Sequence, residues 1–398
     1  MEQFLPIFLI LPFVGFIISA LLPEKSERLI SFILFITSGA MIVMGGTYLF
    51  FWLLEGTGAI NIKEITLFNS EHYKFFIDLY YDHVTATYQL MSGVLTFLIA
   101  HFSRVYMHKE EGFKRFFTTM ALYYFGIQII IFSGNFETLF IGWEILGLSS
   151  FLLIAFYRNR HLPVRNAFKV FSMYRLADIG ILISMWLLHH LFHENITFQQ
   201  LGDTEFVHYH TMEHSGVALI ISLFIFLAAM VKSAQFPFSS WLPRAMEGPT
   251  PSSSIFYGSI AVHIGVYLLL RTYPFWSEIV TAKICLIVIG VISTMVTSNI
   301  AKYQSSIKAQ IAYSSLAQIG IMLIEIAMGW ETLVLIHMCG NAFLRSYQLL
   351  NSPSVATYLL RNQFFNWTPP KTVKRTSFHK RLKKTFFVMA INEYHTDS

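Results

Sequence analysis

Runs of about twenty mostly apolar residues, the length that carries a helix across about 30 Å of hydrocarbon, recur along most of this 398-residue chain. Such runs constrain the fold severely, because a backbone in lipid must satisfy its own polar groups within helices or a closed barrel. Eleven can be placed, at 4–22, 29–53, 85–103, 115–133, 136–157, 167–191, 216–236, 252–270, 276–299, 309–328 and 331–350. Charged residues make up 13% of the chain, about half the supply of a soluble domain. The sequence therefore reads as an all-α polytopic membrane protein of about 11 transmembrane helices embedded in a lipid bilayer. The first run, FLPIFLILPFVGFIISALL, lacks a basic leader and a small-residue cleavage site, so it is expected to be a span rather than a secretory signal.

Lys and Arg orient the bundle. Loops after odd-numbered spans, with the tail, hold twenty of them, whereas loops after even-numbered spans hold only Lys63, Lys74, Arg271 and Lys283. Basic loops face the cytoplasm, so the N-terminus is expected outside and the C-terminus inside, in a bacterial inner membrane. This asymmetry accounts for the formal net charge of +5, and no nucleic-acid partner is expected. The basic run KRTSFHKRLKK at 374–384 suits anionic headgroups or a docking partner.

Four basic residues fall inside spans: Lys169, Arg175, Lys232 and Arg345. Lys169 is within a turn of the cytoplasmic end and can snorkel. Glu144, Asp178 and Glu325 are the acids within spans. Each ionisable group at a helix centre costs about 2.5–3.5 kcal/mol to insert, so such groups pair or line a wet path. Glu144 lies about 12 Å into its span at 1.5 Å per residue. Arg175 and Asp178 are three apart and share a helix face. Lys232 is followed by SAQFPF, where Pro237 denies the helix a backbone donor and breaks it. A lysine beside such a break, partly stripped of water, can exchange its proton.

Beyond the break come Trp241, GPTPSSS at 248–254, Tyr257, Ser259 and His263, then His337, Asn341 and Arg345 spaced by four along one face. Histidines suit a proton relay. Each feature also has a plainer reading. Arg175 with Asp178 can be a structural clip, Glu144 with Lys232 a structural ion pair, and the histidines packing residues. Glu325 has no obvious partner in the sequence, lies near the outer end, and reads better as structural or interfacial. His208, His210 and His214 resemble a metal site only weakly, and no metal is expected. Cys285 and Cys339 lie in separate apolar segments and offer neither a disulfide framework nor an iron–sulfur site. No P-loop and no dinucleotide-binding glycine motif appears. No cofactor, catalytic residue or redox centre is expected in this chain, so its energy must come from a partner or an ion gradient.

The runs KSAQFPFSSWLPRAMEGPTP (232–251), SIKAQIAYSSLAQIG (306–320) and GWEILGLSSFLL (142–153) resemble the antiporter-like family. That family includes the L subunit of respiratory NADH–quinone oxidoreductase and the large subunits of Mrp-type cation/proton antiporters. The resemblance covers roughly residues 80–350. It implies two inverted five-helix repeats, each with a broken helix, and a proton-translocating function. It implies that Glu144 is the key glutamate, that Lys232 pairs with it, and that Arg175 and Asp178 match an Arg-x-x-Asp motif. Departures from the pattern are Tyr257 where a histidine is usual, with His263 nearby, and Asn341 and Arg345 in place of a second histidine and a lysine. The second repeat is incomplete, which suggests a fragment, a split product or a short subfamily.

The resulting division is 1–110 for the first three helices with an outer loop, 111–271 for the first repeat, 272–352 for a partial second repeat, and 353–398 for a basic cytoplasmic tail. The expected proton pathway comprises Glu144, Lys232, Arg175, Asp178, His263, His337 and Arg345. Expected partners are other subunits of a multisubunit complex. The stretches 247–276, 156–163 and 189–198 are also similar to a branch working with a zinc protein resembling carbonic anhydrase in inorganic carbon uptake. A non-conducting scaffold is the alternative from another class.

Overall fold

A computed structural model describes residues 2–69, 74–365 and 378–396. The chain opens with α1 (Ile7–Leu21) and α2 (Glu27–Leu54), then a hairpin of β1 (Ile60–Asn69) and β2 (Lys74–Tyr81). There follow α3 (His83–Tyr106), α4 (Phe113–Phe132), α5 (Phe136–Ile154) and α6 (His161–Phe192). Two short helices, α7 (Phe198–Leu201) and α8 (Thr204–Glu213), lead into α9 (Ser215–Lys232). After the break come α10 (Trp241–Arg244), α11 (Thr250–Ser253) and α12 (Ile264–Trp276), then α13 (Val280–Ala301), α14 (Ile307–Ala327), α15 (Glu331–Phe365) and α16 (Phe378–Ile391).

Each of the eleven expected segments overlaps helix, the seventh only as far as Lys232. Among the described residues, nine helical segments are long and apolar enough to cross a membrane. The other two expected segments, α3 and α15, are more polar than that, and α3 buries Thr85, Gln89, Ser92, Thr96 and Ser103. The helices at 113–132 and 250–276 are the most enclosed, whereas α1 and α2 keep apolar residues such as Ile10, Phe13, Phe32 and Ile36 on the outside, where lipid would meet them. Cys285 and Cys339 are both free.

The expected outer loop after α2 is instead an antiparallel hairpin. Its strands, INIKEITLFN and KFFIDLYY, are rich in β-branched and aromatic residues, as pleated surfaces favour. The hairpin is stapled to the turn between α4 and α5. Gly134 N donates to Asp78 O at 2.8 Å, and Asn135 Nδ2 donates to Phe76 O at 3.0 Å. Asn135 also caps α5 by accepting from Thr138 N at 2.8 Å.

Arg271 departs from expectation. Rather than sitting in an outer loop, it lies in α12, 5% exposed, with Nη1 2.6 Å and Nη2 3.0 Å from the carboxylate of Asp82. Asp82 in turn caps α3 through Thr85 N at 2.8 Å. The helix runs past the expected end of its span because this pair neutralises the arginine inside the bundle.

Asp78 is fully buried beneath the hairpin, with no hydrogen-bond partner for either carboxylate oxygen among the described residues. Burial pushes its carboxyl up to about 7; Lys63 and Asn61 pull against that shift, and Glu137 adds to it. A carboxyl held above its unfolded value contributes stability that is full below about pH 4 and lost as pH rises through about 7. The hairpin is therefore expected to loosen over that window, by up to about 4 kcal/mol at 1.36 kcal/mol per unit. Amide exchange at Gly134 measures the opening, and Asp78→Asn should flatten its pH dependence. Parallel profiles for the two proteins would contradict the assignment.

Candidate functional site

The elements around the break in α9 bring four charged side chains together. The helix stops at Lys232, and Ala234 takes a left-handed φ of 52°. The carbonyls freed at the helix end are partly re-satisfied: Trp241 Nε1 donates to Val231 O at 3.0 Å and Gln235 N to Met230 O at 2.8 Å. The break thus starts four residues before Pro237, where the sequence had pointed. Close packing of α6 on α9 rests on Gly180, where a Cβ would stand 2.8 Å from Phe224 O.

Arg175 on α6 is the hub. Its Nη2 lies 2.6 Å from Glu144 Oε2 on α5, and its Nε lies 3.0 Å from Asp178 Oδ2 one turn along. Trp143 Nε1 donates to Asp178 Oδ1 at 2.9 Å. Lys232 Nζ sits 4.6 Å from the Trp143 ring centre and 4.0 Å from that of Tyr174, within cation–π range. Among the described residues Lys232 Nζ has no hydrogen-bond partner, and Lys232 is 1% exposed. Both cations approach Gly147: a Cβ there would stand 3.8 Å from Arg175 Nη2 and 3.9 Å from Lys232 Nζ, ordinary contact distances.

This corrects one expectation. The direct ion partner of Glu144 is Arg175, not Lys232. The reason is packing order: α6 contacts both α5 and α9, so its arginine reaches the glutamate while Lys232 approaches across the aromatic rings. The expected Arg175–Asp178 pair is present. Trp143 and Tyr174 were not among the expected site residues; the only sequence signal for them is adjacency to Glu144 and Arg175.

A second cluster lies between α12, α14 and α15. The run 250–276 is not one smooth helix: a π-helical turn at Ser254–Ser259 and a 3₁₀ turn at Ala261–His263 precede α12. Such irregular turns recur at functional sites. They leave His263 fully buried, its Nδ1 against Ser259 O and its Nε2 3.1 Å from Asn341 Nδ2. Asn341 Nδ2 also donates to Ser315 Oγ at 3.2 Å, and Arg345 Nε donates to Asn341 Oδ1 at 3.2 Å. Arg345 further binds Gln348 Oε1 at 2.7 Å and Ser314 O at 3.3 Å. The side chain of Tyr257 lies outside the described residues.

His337 does not bond to His263. Its Nδ1 is 3.0 Å from both carboxylate oxygens of Glu325, and its Nε2 is 2.9 Å from Gln318 Oε1. Glu325, read from the sequence as having no partner, is therefore paired. On α8, His208 pairs with Glu278. Among the described residues no group of three or more His, Cys, Asp or Glu is placed to hold a metal ion.

Comparison with known proteins follows the same lines. A family described as "NADH:quinone oxidoreductase/Mrp antiporter, TM" matches residues 133–365. A second, described as "NADH-Ubiquinone oxidoreductase (complex I), chain 5 N-terminus", matches residues 67–117. NADH-quinone oxidoreductase subunit L of Campylobacter jejuni is 30% identical over 361 residues, covering 89% of this chain and 57% of that protein. NADH-ubiquinone oxidoreductase chain 5 of Neurospora crassa is 29% identical over 364 residues, covering 90% of this chain and 49% of that protein. The chain thus spans about half the length of the curated relatives it matches. Among solved structures, a chain of the Mrp complex from Dietzia sp. aligns with a TM-score of 0.75 at 22% identity, covering 87% of this chain and 37% of that one. A chain of the membrane-bound sulfane sulfur reductase, an archaeal respiratory membrane complex, aligns with a TM-score of 0.75 at 19% identity, covering 99% and 80%. Both likenesses concern the fold.

Proposed function

This chain belongs to the NADH:quinone oxidoreductase/Mrp antiporter family, and on that premise we propose that it is a proton-translocating, energy-coupling membrane subunit. The observation that carries the reading is the placement of Glu144, Arg175, Asp178 and Lys232 together beside the break after α9, with Glu144 about 12 Å along α5 from its start. Ionisable groups at that depth are costly and line proton or ion routes. Arg175 holds its charge at any ordinary pH and serves as the fixed counter-charge. The carboxylates and Lys232 are the groups that gain and lose protons. The second cluster, with His263, Arg345 and His337, extends the polar path through the bundle.

The same geometry favours partners. The side chains of Glu144 and Arg175 are 33% and 41% exposed, at a depth where lipid offers no hydrogen bonds. Another membrane subunit of a multisubunit complex covers that face. The loop charges support an orientation with the N-terminus outside a bacterial inner membrane and the C-terminus in the cytoplasm.

Proton flux into vesicles containing the assembled complex tests the reading. Glu144→Gln keeps the shape and a hydrogen bond to Arg175 but carries no proton, so flux should fall about 100-fold or more. Glu144→Asp should retain part of it. Wild-type flux in Glu144→Gln would remove the proton-carrying role.

A further inference from the structure

The acid at the far side of the second cluster is unused by the path as described. Glu325 lies two residues before the end of α14 and is 8% exposed. It sits at the hairpin end of the bundle, close to the turn into α15, where Glu331 pairs with His83 at the start of α3. Its carboxylate faces Nδ1 of His337, whose Nε2 faces the Gln318 oxygen. Both ring nitrogens of His337 therefore point at oxygen.

A neutral imidazole carries one N–H and can satisfy only one of those oxygens. The arrangement is complete when a proton sits on Nε2 and a second is shared between Nδ1 and Glu325. Losing the shared proton leaves a lone pair facing a carboxylate. That clash is relieved when the remaining ring proton moves to Nδ1 and the Gln318 amide turns its NH₂ group toward Nε2. The site can thus hold or release one proton with every polar atom still partnered.

The site is also connected inward. Asn341, one turn along α15 from His337, binds His263 at 3.1 Å and Ser315 at 3.2 Å, and Ser315 is one turn along α14 from Gln318. The polar groups step from the fully buried His263 through Asn341 and Ser315 to Gln318, His337 and Glu325. Arg345 flanks the inner end of this line, and Glu331 with His83 the outer end.

We propose that Glu325 and His337 form the proton-exchange station at the hairpin end of the second helix group, where protons passing His263 meet water on that side. This rests on the proton-moving reading above and adds Glu325 as a proton-carrying residue. The test uses the assembled complex in vesicles, with proton flux and pH-difference infrared spectra of the carboxyl region. Glu325→Gln preserves a hydrogen bond to His337 but cannot ionise, and should lower flux about tenfold or more. Glu325→Asp should restore much of it, and Gln318→Leu should shift the pH profile of flux.

A carboxyl band that changes with pH in the parent should be missing in Glu325→Gln. An unchanged flux in Glu325→Gln, while Glu144→Gln in the same vesicles is inactive, overturns this inference alone. An identical infrared difference spectrum in parent and Glu325→Gln overturns it whatever the flux. Glu144→Gln with wild-type flux overturns the reading beneath both. Thermal unfolding of each variant separates these outcomes from misfolding, and Glu325→Asp carries the test if the glutamine variant does not assemble.

Discussion

Lys232→Met is expected to stop proton flux while leaving the protein as stable as before, or more so. Lys232 is 1% exposed, and its ammonium has no hydrogen-bond acceptor among the described residues. Its neighbours are the Trp143 and Tyr174 rings, at 4.6 and 4.0 Å. Cation–π contacts return about 2 kcal/mol when desolvated, less than the several kcal/mol lost in burying an ion. A methionine of similar volume fills the same slot without that cost and makes favourable contacts with the rings. Removing a group that transfers the proton lowers the rate by about 100- to 10,000-fold. Lys232→Arg should fail as well, because a guanidinium does not release its proton. The two effects should move in opposite directions: flux falls and the melting temperature holds or rises. Retained flux with lost stability would show instead that Lys232 is a structural residue.

Arg271→Met is expected to do the reverse, destabilising the fold by about 3–5 kcal/mol, the usual cost of leaving a buried charge without its partner. Arg271 makes a two-pronged contact to Asp82, at 2.6 and 3.0 Å, and also binds Thr85 and, at 2.9 Å, the Tyr267 hydroxyl. All of these lose their donor together. Asp82 caps α3 and directly follows β2, so the damage spreads to the hairpin. Asp82→Asn keeps the cap but leaves the buried guanidinium without its counter-charge, and should cost a similar amount. The double variant should recover part of the loss, because residues in contact are not additive. Chemical or thermal unfolding in detergent measures all three. Additive losses in the double variant would mean that the pair is not coupled.

Much of the first cluster is legible in the sequence. Pro237 announces the interruption after Lys232, and the spacing of Arg175 and Asp178 places them on one helix face. The order in which helices pack is not legible. Nothing local indicates that α6 stands between α5 and α9, so the glutamate's true partner could not be read from spacing. Glu325 and His337 are twelve residues apart, on antiparallel helices joined by a tight turn. Their meeting depends on a helix register fixed by tertiary packing. Arg271 looked like a loop residue because charge ends an apolar run on paper; Asp82, 189 residues away, removes that reason for the helix to end. The hairpin strands carry a usable signal in their β-branched and aromatic residues, but it is weak beside the apolar runs on either side.

The four charges around Arg175 have a consequence for stoichiometry. Two carboxylates, one guanidinium and one ammonium sum formally to zero within a single cluster, in which Asp178 and Lys232 are buried and Glu144 and Arg175 face the side a partner subunit would cover. A proton added to either carboxylate leaves a surplus positive charge in a low-dielectric setting, and a proton lost from Lys232 leaves a surplus negative one. Each change alone is unfavourable by several kcal/mol, whereas the two together restore neutrality. On the proposed proton-translocating reading, the cluster therefore favours one-for-one exchange: a proton arriving at Glu144 or Asp178 would be matched by one departing from Lys232. Uncompensated leakage is suppressed by electroneutrality itself.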